Sequence, residues 1–321
     1  MIVVTGGAGF IGSAIIHALN KRGISDILVV DVVDHPEKEK NLAALKYARR
    51  ADKSDFLQDV VRRSLPKISA IIHMGACSST TEMDLEFLRK NNFEYTRELA
   101  LYALEKDIRY IYASSAATYG NGEQGYSDDK LLGLRPLNPY GDSKQRFDLW
   151  ASEQKVLGKI VGLKYFNAYG PNEYHKGDMQ SMIRKGFMQV KEQGRIRLFK
   201  SHRPEYKDGG QLRDFIYIRD AVEMTLFFLD QPKIGGIFNV GTGTARTWND
   251  LACAIFTAMG KEPNIEYIDM PPSIRDQYQY YTCAEMNKIR KAGYTKPITP
   301  IEEGIKDYVQ NYLLPGKRLG E

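Results

Sequence analysis

Ile2-Val3-Val4-Thr5-Gly6-Gly7-Ala8-Gly9-Phe10-Ile11-Gly12 is the stretch whose reading decides the fold. Its first four residues are a β-branched run of the kind that forms a buried parallel strand. Glycines follow at once. From Phe10 to Lys21 the apolar residues Phe10, Ile11, Ala14, Ile15, Ala18 and Leu19 recur at helical spacing, and Gly23 supplies a C-terminal stop. Strand, glycine turn and helix in that order form the context a dinucleotide-binding turn requires. Gly7, Gly9 and Gly12 fit G-x-G-x-x-G, and Gly6, Gly9 and Gly12 fit G-x-x-G-x-x-G. In either frame the missing Cβ atoms let a pyrophosphate approach the backbone at a helix N-terminus. The plain alternative, a glycine-rich turn without a ligand, leaves the flanking elements unexplained.

A second strand, Ile27-Leu28-Val29-Val30, ends in Asp31, 19 residues after Gly12. That is where an acidic group meets an adenosine ribose. Asp31 alone favours NAD. Lys38 and Lys40 follow within one loop, and Arg49, Arg50 and Lys53 lie further on, each a charge for a 2′-phosphate or part of a solvated face.

Strand-like and helix-like segments alternate through the first half. Helices are predicted over 41–50, 52–65, 84–106 and 138–156, and strands at Ala70-Ile71-Ile72-His73, at Arg109-Tyr110-Ile111-Tyr112-Ala113 and over 160–166. Repeated βα units imply a Rossmann-type, doubly wound parallel sheet of the α/β class, with ligands beyond the C-terminal strand ends. The glycine turn, residues 75–79, Ser114-Ser115 and Phe166-Asn167 would gather there. The second half is less regular. Residues 172–176 and 202–211 read as polar loops, and Arg213-Asp214-Phe215 leads into a strand and then a helix over 219–229. The expected organisation is a dinucleotide domain of 1–166 plus about 212–240. A smaller, discontinuous α/β substrate domain of about 167–211 plus 241–321 completes it.

The 321 residues are 43% hydrophobic and 26% charged, ordinary values for a globular protein. No apolar run approaches the roughly 18 residues of a membrane span, and a strand at Ile2 leaves no room for a leader peptide. Cys77, Cys253 and Cys283 are odd in number and scattered, which suits reduced thiols in a cytoplasm and offers no metal-ligand spacing. A net charge of +5 without a dense basic stripe speaks for anionic small ligands and against nucleic acid.

Tyr140-Gly141-Asp142-Ser143-Lys144 begins 25 residues after Ser115. Asn138-Pro139 opens the helix, Asn as N-cap and Pro at N1. Tyr140 and Lys144, four apart, lie on one helix face. A free phenol titrates near 10, and a neighbouring ammonium is expected to favour the phenolate, so that Tyr140 takes the proton of a substrate alcohol. Ser115 can hydrogen-bond the same oxygen. Ser114 faces the other way and reads as structural. Tyr-x-x-x-Lys alone is a weak pattern among 20 tyrosines; its place after the glycine turn and a strand-end serine gives it weight.

Gly75-Ala76-Cys77-Ser78-Ser79-Thr80-Thr81-Glu82, Tyr112-Ala113-Ser114-Ser115-Ala116-Ala117-Thr118-Tyr119-Gly120, Tyr165-Phe166-Asn167-Ala168-Tyr169-Gly170-Pro171, His175-Lys176-Gly177 and Arg213-Asp214-Phe215 carry a resemblance over nearly the whole chain. It resembles the extended short-chain dehydrogenase/reductase family, and within it the branch that epimerises C6 of ADP-linked heptoses for the lipopolysaccharide inner core. The resemblance implies a tightly held NADP+, a transient ketone and a homo-oligomer, a pentamer. It makes Tyr140 one acid/base and Lys176 a second, with Ser115 and Lys144 completing the catalytic set. Gly6, Gly9, Phe10, Ile11, Gly12, Asp31, Val32, Lys38, Lys53, Met74, Gly75, Ala76, Cys77, Ser78, Asn91, Lys144, Ala168 and Lys176 become cofactor contacts. Ser115, Asn167, Asp178, Lys185, Phe199, Lys200, Ser201, His202, Arg213 and Tyr278 become contacts of the ADP-heptose substrate. Val32 stands where a polar residue is often found, and Asp178 where a serine can occur.

Three other readings compete. A 4,6-dehydratase of this fold needs an Asp-Glu pair where Ala116-Ala117 stand. A UDP-hexose 4-epimerase shares the Ser, Tyr and Lys but has no need of Lys176. A non-catalytic dinucleotide sensor would commonly have lost the Tyr or the Lys.

Overall fold

The computed structural model describes residues 1–275 and 278–321. Six strands of the first half are β1 (Ile2–Thr5), β2 (Ile27–Val30), β3 (Arg49–Ala51), β4 (Ala70–His73), β5 (Arg109–Ser115) and β6 (Ile160–Tyr165). The second half adds β7 (Asn167–Tyr169), β8 (Ile196–Phe199), β9 (Leu212–Tyr217), β10 (Gly236–Val240), β11 (Ala245–Thr247) and β12 (Ile265–Ile268). The large sheet runs β3-β2-β1-β4-β5-β6-β10, and every pairing in it is parallel. The order 3-2-1-4-5-6 reverses between β1 and β4, which opens a crevice at their C-terminal ends.

Apolar alternation holds this sheet between two layers. Val4, Val29 and Ile72 pack to one side with Ile15, Ile16 and Leu19 of helix Phe10–Lys21. Val3, Leu28 and Ile71 pack to the other with Leu99, Tyr110 and Phe147. Each such fully buried side chain contributes about 1.5–3 kcal/mol of hydrophobic stabilisation before chain entropy is subtracted. Register levels the strand ends: Thr5 sits beside Val30 and His73, and Ser115 beside Tyr165.

Helix Phe10–Lys21 has the predicted bounds. The long helix expected over 84–106 runs from Leu85–Leu88 through a wide π turn, Arg89–Glu94, into Tyr95–Glu105. The helix expected over 41–50 is corrected. The helical segment is Pro36–Leu42, and Arg49–Ala51 is the edge strand β3 paired to β2. Its charged residues suit a strand with one free edge, a feature that helical spacing does not capture. The loop at 172–176 contains the start of a 3₁₀ segment, Tyr174–Met179. β9 joins β7 and β11 in a three-stranded sheet and does not extend the large one. β8 and β12 form a parallel pair. No helix among the described residues is long and apolar enough to cross a membrane.

Candidate active site

Two adjoining cavities open at the strand ends. One, of about 350 Å³, is lined by Gly6, Asp31, Val32, Lys38, Lys53, Gly75, Ala76, Cys77 and Asn91, with Thr5, Val30, Asp34, Phe87 and Tyr95. The other, of about 380 Å³, brings together Phe10, Ile11, Met74, Ala76, Ser78, Ser115, Tyr140, Lys144, Asn167, Ala168, Lys176 and Asp178. Ala76 borders both.

The glycine turn between them is built to be bare. A Cβ on Gly12 would stand 2.1 Å from the Gly6 carbonyl oxygen, and one on Gly6 2.7 Å from the Gly75 nitrogen. Gly6 also has φ +63°, a region that favours glycine. The turn leads into the first turn of helix Phe10–Lys21, whose free N–H groups suit a diphosphate. Asp31 accepts a hydrogen bond from the Ala8 nitrogen at 2.9 Å, which ties the end of β2 to this turn. Burial pushes the Asp31 carboxyl up, and the Lys38 ammonium opposes that shift. Lys38 reaches Asp31 at 3.4 Å, Asp34 at 3.0 Å and the Val32 carbonyl at 2.8 Å. Lys53 is bonded to Asn91 across the same cavity. Lys40 and Arg50 are turned aside in ion pairs with Glu37 and Glu39. The residues present therefore fit a dinucleotide, with Lys38 and Lys53 lining the same cavity as Asp31.

Asn138 caps helix Pro139–Glu153, its Oδ1 accepting from the Gly141 nitrogen at 2.8 Å. A cap of this kind contributes about 1 kcal/mol, and it sets Tyr140 in the first turn, over the cavity. Lys144 is buried, and its Nζ donates to the Ala113 carbonyl at 2.8 Å. Burial pulls Lys144 down to about 8, against the opposing charge of Asp148. The expected lowering of Tyr140 by Lys144 is corrected here. Burial pushes the Tyr140 phenol up, and the hydroxyl of Ser115 is the group that pulls it back. Low polarity around the ring outweighs an ammonium that is directed at the strand.

Lys176 lines the same cavity as Tyr140, its Nζ 5.4 Å from the centroid of the Phe10 ring. Burial lowers its pKa, and Glu173 opposes. The loop that carries it is firmly seated. Asn172, at φ +76°, donates to Ser13 Oγ at 3.0 Å, and its carbonyl accepts from Asn41. Glu173 is fully buried and accepts from the Ser181 nitrogen and hydroxyl at 2.5 and 2.7 Å. Gly177 then turns the chain at φ +50°, ψ −123°, outside the range of L side chains.

The remaining expected substrate residues lie at one end. The Arg213 guanidinium covers the Tyr278 ring at 5.2 Å and the Trp248 ring at 5.8 Å, and Phe199 meets Tyr278 edge-on at 6.2 Å. Trp248 and Phe215 carry this cluster to the cavity wall. Lys185 Nζ donates to the Asp178 carbonyl at 2.5 Å. The backbone nitrogen of His202 is bound to the Tyr280 hydroxyl at 2.9 Å. Lys200 pairs with Asp269 at 3.2 Å, and Ser201 closes on Asp208 and Arg203 within its own loop. None of Lys185, Phe199, Lys200, Ser201, His202, Arg213 and Tyr278 lines the cavity itself. Cys77 is a thiol that burial pushes up, which agrees with its reading as a loop residue and not a nucleophile.

Sequence reasoning missed Asn92, Trp248, Glu173 and Asp148. Asn92 is fully buried, clamps Cys77 through both its backbone groups at 2.9 Å and donates to Ser143 beside Tyr140. Its position in the π turn, where the helix bulges, is the signal that was available only in three dimensions.

A family model described as "NAD dependent epimerase/dehydratase family" matches residues 2–241. An ADP-L-glycero-D-manno-heptose-6-epimerase of Nitratidesulfovibrio vulgaris (strain DP4) is 52% identical, over 98% of each chain. The chain belongs to the ADP-L-glycero-D-manno-heptose-6-epimerase family. A solved family member, from Helicobacter pylori, is 30% identical with a TM-score of 0.82, covering 97% of this chain and 95% of that one. A UDP-glucose 4-epimerase of Thermus thermophilus, solved in complex with NAD, is similar at 26% identity and a TM-score of 0.75, over 96% and 97% of the two chains.

Proposed function

We propose that this protein inverts C6 of the heptose in ADP-D-glycero-D-manno-heptose, giving the L-glycero epimer through a transient ketone, with NADP+ bound along the glycine turn. The observation that carries the reading is the meeting of Ser115, Tyr140 and Lys144 with Lys176 around one cavity. A nicotinamide held there supplies the hydride acceptor and donor. Tyr140 and Lys176, both lining that cavity, then exchange the hydroxyl proton, and two such groups suit an inversion that presents the oxygen in two places. Burial holds Lys176 below the usual lysine value, toward the range useful for proton transfer at neutral pH. Ser115 donates to the developing oxyanion, and Lys144 supplies positive charge behind it. Arg213 and the rings of Tyr278 and Trp248 suit a diphosphate beside an adenine. Lys38 and Lys53 near Asp31 favour NADP over NAD. By the same family reading, the product feeds the inner core of lipopolysaccharide, and the enzyme is a cytoplasmic homo-oligomer.

The test pairs two measurements. Purified protein is offered ADP-D-glycero-D-manno-heptose and, separately, UDP-galactose, and epimers are separated chromatographically. The cofactor released on denaturation is weighed by mass spectrometry. The expected result is heptose inversion, NADP(H) as the released species and no net nicotinamide consumption. Turnover of UDP-galactose alone, or stoichiometric NADPH accumulation, would sink the proposal.

A further inference from the structure

Behind the cavity wall lies a charged layer that the proposed chemistry leaves unused. Asp148 stands one helical turn after Lys144 and is fully buried. Its carboxylate accepts from the Tyr112 phenol at 2.9 Å and the Ser114 hydroxyl at 2.7 Å, and pairs with Lys164 Nζ at 3.7 Å. Lys164, on β6, is equally buried. It donates to Thr118 Oγ1 at 2.8 Å, and its Nζ lies 4.4 Å from the centroid of the Tyr119 ring. The end of β5 therefore divides three ways. The Ala113 carbonyl holds Lys144, Ser114 holds Asp148, and Ser115 faces the cavity.

Burying such a pair is costly, several kcal/mol per ion, and an apolar filling would serve the fold as well. If Asp148 existed only to neutralise Lys164, the two would be expected in close contact. Its shorter bonds go to Tyr112 and Ser114, the residues on either side of the carbonyl that anchors Lys144. We propose that Asp148 is a positioning residue, which fixes the end of β5 and supplies the buried counter-charge that holds Lys144 as an ammonium on the Ala113 carbonyl. The consequence for catalysis rests on the function proposed above; the counter-charge itself does not.

The surroundings leave few other sources of negative charge. His73, from β4, lies between Thr5 and Thr96 and is kept neutral by burial, at about 3. Cys77 and Tyr140, across the cavity, are held in their protonated forms by burial. Tyr112 is likewise kept a phenol. Asp128 acts on Lys164 from the far side and is itself pushed up to about 6. Burial pushes the Asp148 carboxyl up as well, opposed by Lys164 and by the Ser114 and Tyr112 hydroxyls, and Asp148 is the carboxylate that opposes the downward pull of burial on Lys144.

The test compares the wild type with Asp148→Asn and with Asp148→Asn/Lys164→Met, each with its bound cofactor. Lysine ε-carbons are labelled with ¹³C, Lys144 is assigned by its loss in Lys144→Arg, and its NMR shift is followed against pH. Both variants should lower the Lys144 midpoint by at least about one pH unit, a tenfold fall in the charged-to-neutral ratio. The basic limb of the epimerisation rate should move with it, so that activity recovers on the acid side. The double variant also removes the stranded cation, which keeps the measurement readable if the single variant folds poorly. A Lys144 midpoint unmoved in the double variant would overturn the proposal and leave Asp148 as no more than the partner of Lys164. Because the NMR readout needs no substrate, an error about the substrate would not be mistaken for an error about Asp148.

Discussion

Gly12→Ala isolates the cofactor turn from the rest of the fold. An added Cβ would lie 2.1 Å from the Gly6 carbonyl oxygen, 2.7 Å from its carbon and 2.8 Å from Gly7 Cα, all of them backbone. Ordinary contact begins near 3.4 Å, so turn and helix must part by more than an ångström. The fold itself loses up to about 2 kcal/mol on balance. Alanine gains about 1 kcal/mol of helix propensity over glycine, and overpacking costs about 1–3 kcal/mol. Binding suffers more, because the displaced N–H groups are those offered to the diphosphate. A hydrogen bond to a charged acceptor contributes about 1.5–3 kcal/mol, and losing one or two weakens binding by about 3 kcal/mol, a factor on the order of a hundred. Calorimetric titration of the stripped protein with NADP+ measures this, alongside thermal unfolding of the apo form. Gly158→Ala is the control, since its Cβ would meet nothing within 4 Å. NADP+ affinity in Gly12→Ala equal to that of the control would refute the assignment of this turn.

Two further outcomes follow from the two proton carriers proposed for the cavity. Tyr140→Phe should turn over at least about a hundredfold more slowly while retaining its cofactor; near-normal turnover would remove Tyr140 from acid–base duty. Lys176→Met should abolish inversion with fold and cofactor intact, and partial nicotinamide reduction should survive better from one epimer than from the other. Rescue of Lys176→Met at saturating substrate would reduce Lys176 to a binding group and leave Tyr140 serving both faces.

What the sequence determined by itself was local. The run Ile2-Val3-Val4-Thr5, the glycines after it and the apolar spacing from Phe10 onward specify strand, turn and helix through short-range sterics and periodicity. Asn138-Pro139 specifies a helix start, and the four-residue gap from Tyr140 to Lys144 specifies a shared face. Such signals sit within a few residues of what they control. The edge strand Arg49–Ala51 was misread as helix because its pairing partner, β2, supplies the preference that its charged residues lack. Tertiary structure alone decided which distant groups meet. It brought Lys176 to the cavity that Tyr140 lines, by seating Asn172 and Glu173 on Ser13, Asn41 and Ser181. It placed Lys164 of β6 beside Asp148 of helix Pro139–Glu153. It also reversed the expected shift of Tyr140, because burial depends on every element that closes over the ring and not on the lysine one turn away. Proton affinities and the meeting of residues around one cavity are long-range quantities, and spacing along the chain carries no measure of them.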